Sequence, residues 1–211
     1  MSPFLPPTVA FLAGSIPFGL LVARMKGVDI RKHGSGNIGA TNVLRVVGKP
    51  YGIAVFILDF LKGLLPVLWA GHALAGHPQA DWIGLGTALA AILGHNYSPW
   101  IGFKGGKGIA TSAGALMALF PVALGVALVV WFVLFKTTRY VSVASMGAAA
   151  AIPLALFGQK LLAWRPPTWP EIGFGVLVAF LAIWRHRSNI RKLMAGQESR
   201  FGDKKKIPPA A

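Results

Sequence analysis

The sequence predicts an all-α, polytopic membrane protein with seven transmembrane helices, its amino terminus outside and its carboxyl terminus cytoplasmic. Three observations carry that prediction. Of 211 residues, 55% are hydrophobic and only 13% charged, about half the charged share of an ordinary soluble domain. Several apolar stretches reach roughly 18 residues or more, enough to cross a ~30 Å hydrocarbon core. The net charge of +15 is not spread evenly. Basic residues gather between apolar stretches, at 24–49, 104–107 and 136–139, and again after residue 184. If those segments share one side, that side is the cytoplasm by the positive-inside bias. Topology therefore explains the charge, and nucleic-acid binding is excluded as its cause. The chain has no cysteine, which excludes disulfide and thiolate chemistry.

The first span is expected over 4–23, retained rather than cleaved, since it lacks a basic leading region and a small-residue cleavage site. A basic, glycine-rich loop follows over 24–50. The second span, 51–72, carries Asp59 and Lys62, three apart on one helical face, which predicts an intramembrane ion pair in preference to a proton relay. The connection GHALAGHPQAD has no Lys or Arg, as suits an outer loop. The third span is expected over 82–99. The 27 residues of 109–135 are long for one helix and short for two. Pro121 divides them, and keeping Lys136 on the side of Lys104 and Lys107 requires a hairpin of 109–119 and 121–135. Later spans are expected over 141–157 and 172–184, with Trp164 and Trp169 as interfacial anchors. Residues 1–200 form one domain. The basic tail 201–211 is expected to be disordered, its lysines meeting anionic lipid.

Four polar segments fall on the basic side. The run HGSGNIGATNVLR, 33–45, offers glycines that permit positive φ and close backbone approach. Its successive N–H groups could form an anion-binding nest, joined by Ser35, Asn37, Thr41 and Asn42. It has no carboxylate, which favours an anion over a metal, and its spacing is not that of a P-loop. A flexible linker is the plain alternative. FKGGKG, 103–108, puts two lysines around two glycines ahead of an apolar helix, whose N-terminus favours negative charge. Shortly before it, His95 reads most simply as a buried histidine bonded to backbone. YVS, 140–142, reads as an N-cap at Ser142. RHRSNIRKLMAGQE, 185–198, places Arg185, His186, Arg187 and Asn189 at the membrane boundary, where a snorkelling cluster is the plain reading. Acidic residues on this side are few, so the face suits anions beside an apolar interior. A lipid enzyme with phosphate-bearing substrates fits best; an anion transporter is the rival class.

GSGNIGATNVLR, GHNYSPWIGFKGGKGIAT and RHRSNIRKLMAGQE together resemble the bacterial acyl-phosphate:glycerol-3-phosphate acyltransferase family, PlsY, over essentially the whole chain. The resemblance implies a seven-helix inner-membrane enzyme with its motifs on the cytoplasmic face. It implies acyl transfer from acyl phosphate to the 1-hydroxyl of glycerol 3-phosphate, giving lysophosphatidic acid and phosphate. Its expected acyl-phosphate residues are Ser35, Gly36, Asn37, Ala40, Thr41, Asn42, Gly105, Gly106 and Lys107. Those for glycerol 3-phosphate are Arg45, Lys104, Ser142, His186, Arg187 and Asn189. Ser35, Arg45, Lys104, His186 and Asn189 are the expected catalytic set, and Glu198 the counterion of a motif arginine. Acyl phosphate brings its own leaving group, so direct attack without an acyl-enzyme is expected. No cofactor and no metal is expected, because carboxylates are scarce. The protein is expected to act as a monomer.

Overall fold

The computed structural model describes residues 2–163 and 166–202. Within them the chain is helical throughout. Its α-helices are α1 Leu5–Ser15, α2 Phe18–Arg24, α3 Ala40–Val46, α4 Lys49–Ala73, α5 Ala80–Asn96, α6 Ile109–Leu119, α7 Pro121–Thr138, α8 Val141–Leu161, α9 Trp169–Arg185 and α10 Arg187–Met194. Four segments are long and apolar enough to cross a membrane: Leu5–Arg24, Lys49–Ala73, Pro121–Thr138 and Val141–Leu161. α5 and α9, at 17 residues each, extend about 26 Å at 1.5 Å per residue. α6, with 11 residues, covers only about half the hydrocarbon thickness.

The break expected at Pro121 occurs. α6 ends at Leu119, Phe120 leaves helical geometry and Pro121 starts α7. A second break was not expected. The first span is interrupted at Ile16–Pro17, where Ile16 is extended (ψ 118°). Proline has no N–H to continue the ladder and disfavours helix in the residue before it. The freed carbonyls find side-chain donors: Ser98 Oγ donates to Ser15 O at 2.6 Å and Lys62 Nζ to Ile16 O at 2.8 Å. Trp164, expected as an anchor, lies outside the described residues. Trp169 opens α9 and is largely exposed, with the Lys160 ammonium 4.9 Å from its ring centroid.

Helices approach closely where glycine removes the side chain. A Cβ on Gly14 of α1 would strike the Ala91 backbone of α5, and one on Gly94 of α5 would strike α1 at Phe11 and Ser15. Gly63 of α4 and Gly114 of α6 repeat this reciprocal arrangement against Thr111 and Phe60. Such small-residue contacts supply packing where lipid gives no hydrophobic drive between helices. A Gly114→Leu variant should therefore force α4 and α6 apart and destabilise the protein by about 3 kcal/mol, read as a lowered unfolding temperature in detergent. Outward-facing Leu128, Val129, Phe132 and Val133 of α7 are more than half exposed, as a lipid-facing surface requires.

A small apolar cluster seats the polar run 33–45. Leu20 of α2, Ile30, Ile38, Val43 of α3 and Val55 of α4 are all buried together. Gly19 of α2 lets the chain at Ile38 lie directly on the helix, since a Cβ there would overlap the Ile38 carbonyl.

Candidate active site

Asn42 organises the first loop. It is 2% exposed, and its carboxamide is fully engaged. Oδ1 accepts from Ser35 N at 2.9 Å, while Nδ2 donates to Asn37 O at 2.9 Å and His33 O at 3.1 Å. Gly34 (φ 62°) and Gly36 (φ 72°) supply the left-handed turns, which side chains with a Cβ rarely adopt. Gly36 N donates to His33 O, Asn37 N to Ser35 Oγ and Gly39 N to Asn37 Oδ1. The expected nest of free amides is therefore mostly closed on itself. Asn42, expected as an acyl-phosphate ligand, pins the loop through these bonds. Ser35, Gly36 and Asn37 remain open to solvent on its outer side, and Ala40 and Thr41 form the first turn of α3, whose amides have no partner within the helix.

The second loop is docked on α5. Gly106 N donates to His95 O at 3.1 Å, and a Cβ on Gly105 would lie 2.8 Å from the Asn96 carbonyl carbon. Gly105 and Gly106 thus meet α5 and do not line the cleft. Their carbonyls accept from the Arg185 guanidinium, Nη2 to Gly105 O at 2.9 Å and Nε to Gly106 O at 3.0 Å. Arg185, which the sequence groups with His186, Arg187 and Asn189 at the membrane boundary, was not among the expected ligands, and here it clamps the second loop. It lies 5.2 Å from the Tyr97 ring centroid. Gly108 (φ 80°) turns the chain into α6.

Clamped this way, Lys107 projects toward α10 and donates to Asn189 Oδ1. Asn189 Nδ2 in turn donates to Glu198 Oε1 at 2.6 Å. Glu198, expected beside an arginine, faces this lysine–asparagine pair. A cleft of about 130 Å³ is lined by Ser35, Gly36, Asn37, Lys107, Ser188, Asn189 and Lys192. A second of about 340 Å³ shares Asn37, Lys107 and Ser188 and adds Arg185, Arg187 and Arg191. Ser188, Arg191 and Lys192 were missed, though their i, i+3 and i+4 spacing on α10 was a readable signal of one face.

Burial lowers the Lys107 ammonium to about 8, with Lys192, Arg185 and Arg45 adding to the effect and Glu198 opposing it. Burial also lowers His186 to about 4, reinforced by Lys107. His186 Nδ1 sits 2.8 Å from Ala182 O. A carbonyl only accepts, so Nδ1 carries the proton, and the neutral ring keeps its Nε2 lone pair.

The remaining expected residues are not all in the cleft. Arg45 and Lys104 are exposed, Arg45 near enough to repel the charge on Lys107. Arg187 also packs on Trp184, 5.4 Å from its ring centroid. Ser142 is not an N-cap: Tyr140 precedes the helix, and Ser142 is buried at its second position with no hydrogen-bond partner for its hydroxyl. The chain around YVS still reaches the basic end. Arg139 donates to Phe201 O, Phe201 N to Arg139 O, and Arg200 to the Tyr140 hydroxyl. Residue 201, placed in the disordered tail by expectation, is thus docked; 203–211 lie outside the described residues.

Three polar segments from distant parts of the chain therefore converge on one basic cleft at the end of a helical, lipid-facing bundle. That arrangement defines a protein whose apolar helices, long enough to cross a membrane, carry a basic polar cleft. The family model described as glycerol-3-phosphate acyltransferase matches residues 5–196. A glycerol-3-phosphate acyltransferase of Gloeobacter violaceus is 48% identical over 197 residues, covering 92% of each chain. One of Aquifex aeolicus is 44% identical over 192 residues, covering 91% of this chain and 95% of that one. The crystal structure of PlsY (YgiH), an integral membrane glycerol 3-phosphate acyltransferase, in its glycerol 3-phosphate form, superposes with a TM-score of 0.86 at 43% identity, covering 96% of both chains. Its lysophosphatidic acid form gives 0.83 at 42%. The chain belongs to the glycerol-3-phosphate acyltransferase family, of the integral membrane PlsY type.

Proposed function

We propose that the protein transfers a fatty acyl group from acyl phosphate to the 1-hydroxyl of glycerol 3-phosphate, releasing lysophosphatidic acid and inorganic phosphate. The observation that carries this reading is the single cleft in which Ser35 and Asn37 of the first loop face Lys107, Ser188 and Asn189. A site fed by both loops suits two phosphates side by side, next to helices that can shelter an acyl tail.

In this scheme Ser35, Gly36, Asn37, Ala40 and Thr41 hold the acyl-phosphate group, and Asn42, Gly105 and Gly106 support the two loops. Arg45, Lys104, Arg187 and Asn189 hold glycerol 3-phosphate, with Lys107 between the two phosphates. The acceptor hydroxyl oxygen attacks the acyl carbonyl carbon. The bond from that carbon to the phosphate oxygen breaks, and phosphate leaves with its electron pair. Neutral His186 accepts a hydrogen bond from the attacking hydroxyl and orients it. With a pKa of about 4 the ring is a weak base, so the proton passes to the departing phosphate. Ser142, whose buried hydroxyl has no protein partner, adds a contact to glycerol 3-phosphate. We place seven spans in the bacterial inner membrane, the amino terminus outside and the cleft cytoplasmic, acting as a monomer without cofactor or metal.

The test is a donor comparison on purified protein with glycerol 3-phosphate. Acyl phosphate should yield lysophosphatidic acid and phosphate in equal amounts, while acyl-CoA and acyl-carrier protein yield neither. Turnover with a thioester alone would refute the donor; flux of glycerol 3-phosphate into sealed vesicles without acylation would refute the enzyme. Within the same assay, His186→Ala should lower kcat about 100-fold.

A further inference from the structure

Beneath the cleft lies a buried charged cluster that the proposed chemistry does not use. Asp59 and Lys62 of α4 form the expected ion pair at 2.7 Å, both side chains under 5% exposed. A third member joins them: His95 Nδ1 of α5 lies 3.7 Å from Asp59 Oδ1. The histidine ring therefore faces a carboxylate, not the backbone as expected. Buried ion pairs are weak evidence for stability, because desolvation offsets their attraction. A second role is worth seeking in what the cluster touches.

It touches the Lys107 loop directly and reaches the first loop through α2. On one side, Lys62 Nζ also donates to Ile16 O at the break between α1 and α2. The same break receives Ser98 Oγ on Ser15 O, and the indole N–H of Trp100 on Ser15 Oγ at 2.7 Å. The break sets the position of α2, and α2 carries Gly19, on which the first loop rests at Ile38. On the other side, the His95 ring packs directly on Gly106, where an added Cβ would lie 2.9 Å from Cε1. The His95 carbonyl accepts the Gly106 amide. One cluster thus spans the α1–α2 break and the Lys107 loop.

We infer that Asp59, Lys62 and His95 are positioning residues that set the spacing of the two loops. The inference rests on the proposed reaction, in which each loop brings one phosphate to the transfer. Each loop is folded by its own contacts, through Asn42 in the first and Arg185 in the second. Loss of the cluster should leave each substrate bound but misaligned, and small misplacements of reacting groups cost rate steeply.

The decisive variant is the double substitution Asp59→Asn with Lys62→Met. Removing one partner alone would strand a buried charge and risk misfolding; removing both leaves neutral groups of similar volume. The double variant should unfold within a few degrees of wild type and keep both KM values within about threefold. Its kcat should fall at least tenfold. The chain has no cysteine, so spin labels on Lys32→Cys and Phe103→Cys, both exposed, report loop spacing without any turnover. Their distance distribution should broaden in the double variant. His95→Gln, which removes one member of the cluster and leaves the Asp59–Lys62 pair intact, should lower kcat at least threefold with unchanged KM; it decides the matter alone if the double variant fails to fold. Wild-type kcat and an unchanged distance distribution would overturn the inference. A wild-type protein that does not use acyl phosphate would overturn the reaction instead, while the distance measurement still tests the cluster.

Discussion

A Lys107→Met variant should lose about a thousandfold or more in kcat/KM for glycerol 3-phosphate. Among the described residues, Lys107 is the one lysine that lines both parts of the cleft. It is held by Asn189 on one side and by the docked glycines behind it. Removing a preorganised positive donor from a site where charge moves between phosphates costs ~10²–10³ in rate, and lost ground-state attraction adds to that. The pH dependence carries its own signature. In the free enzyme the ammonium is lowered to about 8 by burial and neighbouring cations. Below pH 8 it is charged and can bind phosphate; as pH rises through 8 that charge is lost. kcat/KM should therefore fall across pH 8 to 9. Lys107→Arg keeps its charge throughout that range, so it should flatten this limb even if its overall rate is lower. The stability effect has the opposite sense. The unfolded lysine, with an ordinary pKa near 10.5, binds more protons than the folded one between pH 8 and 10.5. Lys107 thus makes the fold more stable as pH rises through that window.

Asn42→Ala should do nearly comparable damage without touching a substrate. The carboxamide joins Ser35 N, Asn37 O and His33 O within one buried knot. Its loss leaves several backbone groups without partners, each costing about 1–3 kcal/mol where water cannot reach. The run has little to replace it, because Gly34 and Gly36 hold left-handed conformations that resist no unfolding on their own. Turnover should fall about 100-fold or more. Amide hydrogen exchange over 33–39 should accelerate, while exchange in α7 and α8 stays as in wild type. Asn42→Asp is a sharper form. It keeps the acceptor for Ser35 N but cannot donate to Asn37 O and His33 O, and should show the same local loosening.

The membrane class was legible because it depends on composition and length, which a sequence states directly. The break at Pro121 was legible for a similar reason, since proline acts locally. The charged segments were legible as a group, but their convergence on a cleft was not. Which of the polar groups in 33–45 would be consumed by the loop itself could not be read. Asn42 and Ser35 look equally available in sequence, yet Asn42 is buried at 2% and Ser35 is exposed. Gly105 and Gly106 likewise suggested a phosphate turn, when their smallness serves close packing on His95 and Asn96. The Lys62 bond to Ile16 O joins residues 46 apart, and no local pattern announces it. Arg185 and His95 belong to the same class: each takes its meaning from a partner brought by the fold.

In the proposed reaction both phosphates meet in one cleft and the acyl group passes directly from donor to acceptor. Exchange of ³²P-labelled phosphate into acyl phosphate, measured with purified protein in the absence of glycerol 3-phosphate, tests it most directly. Direct transfer predicts no exchange, because nothing accepts the acyl group until glycerol 3-phosphate binds. Exchange at a rate comparable to turnover would mean an acyl-enzyme forms first, and would contradict the account.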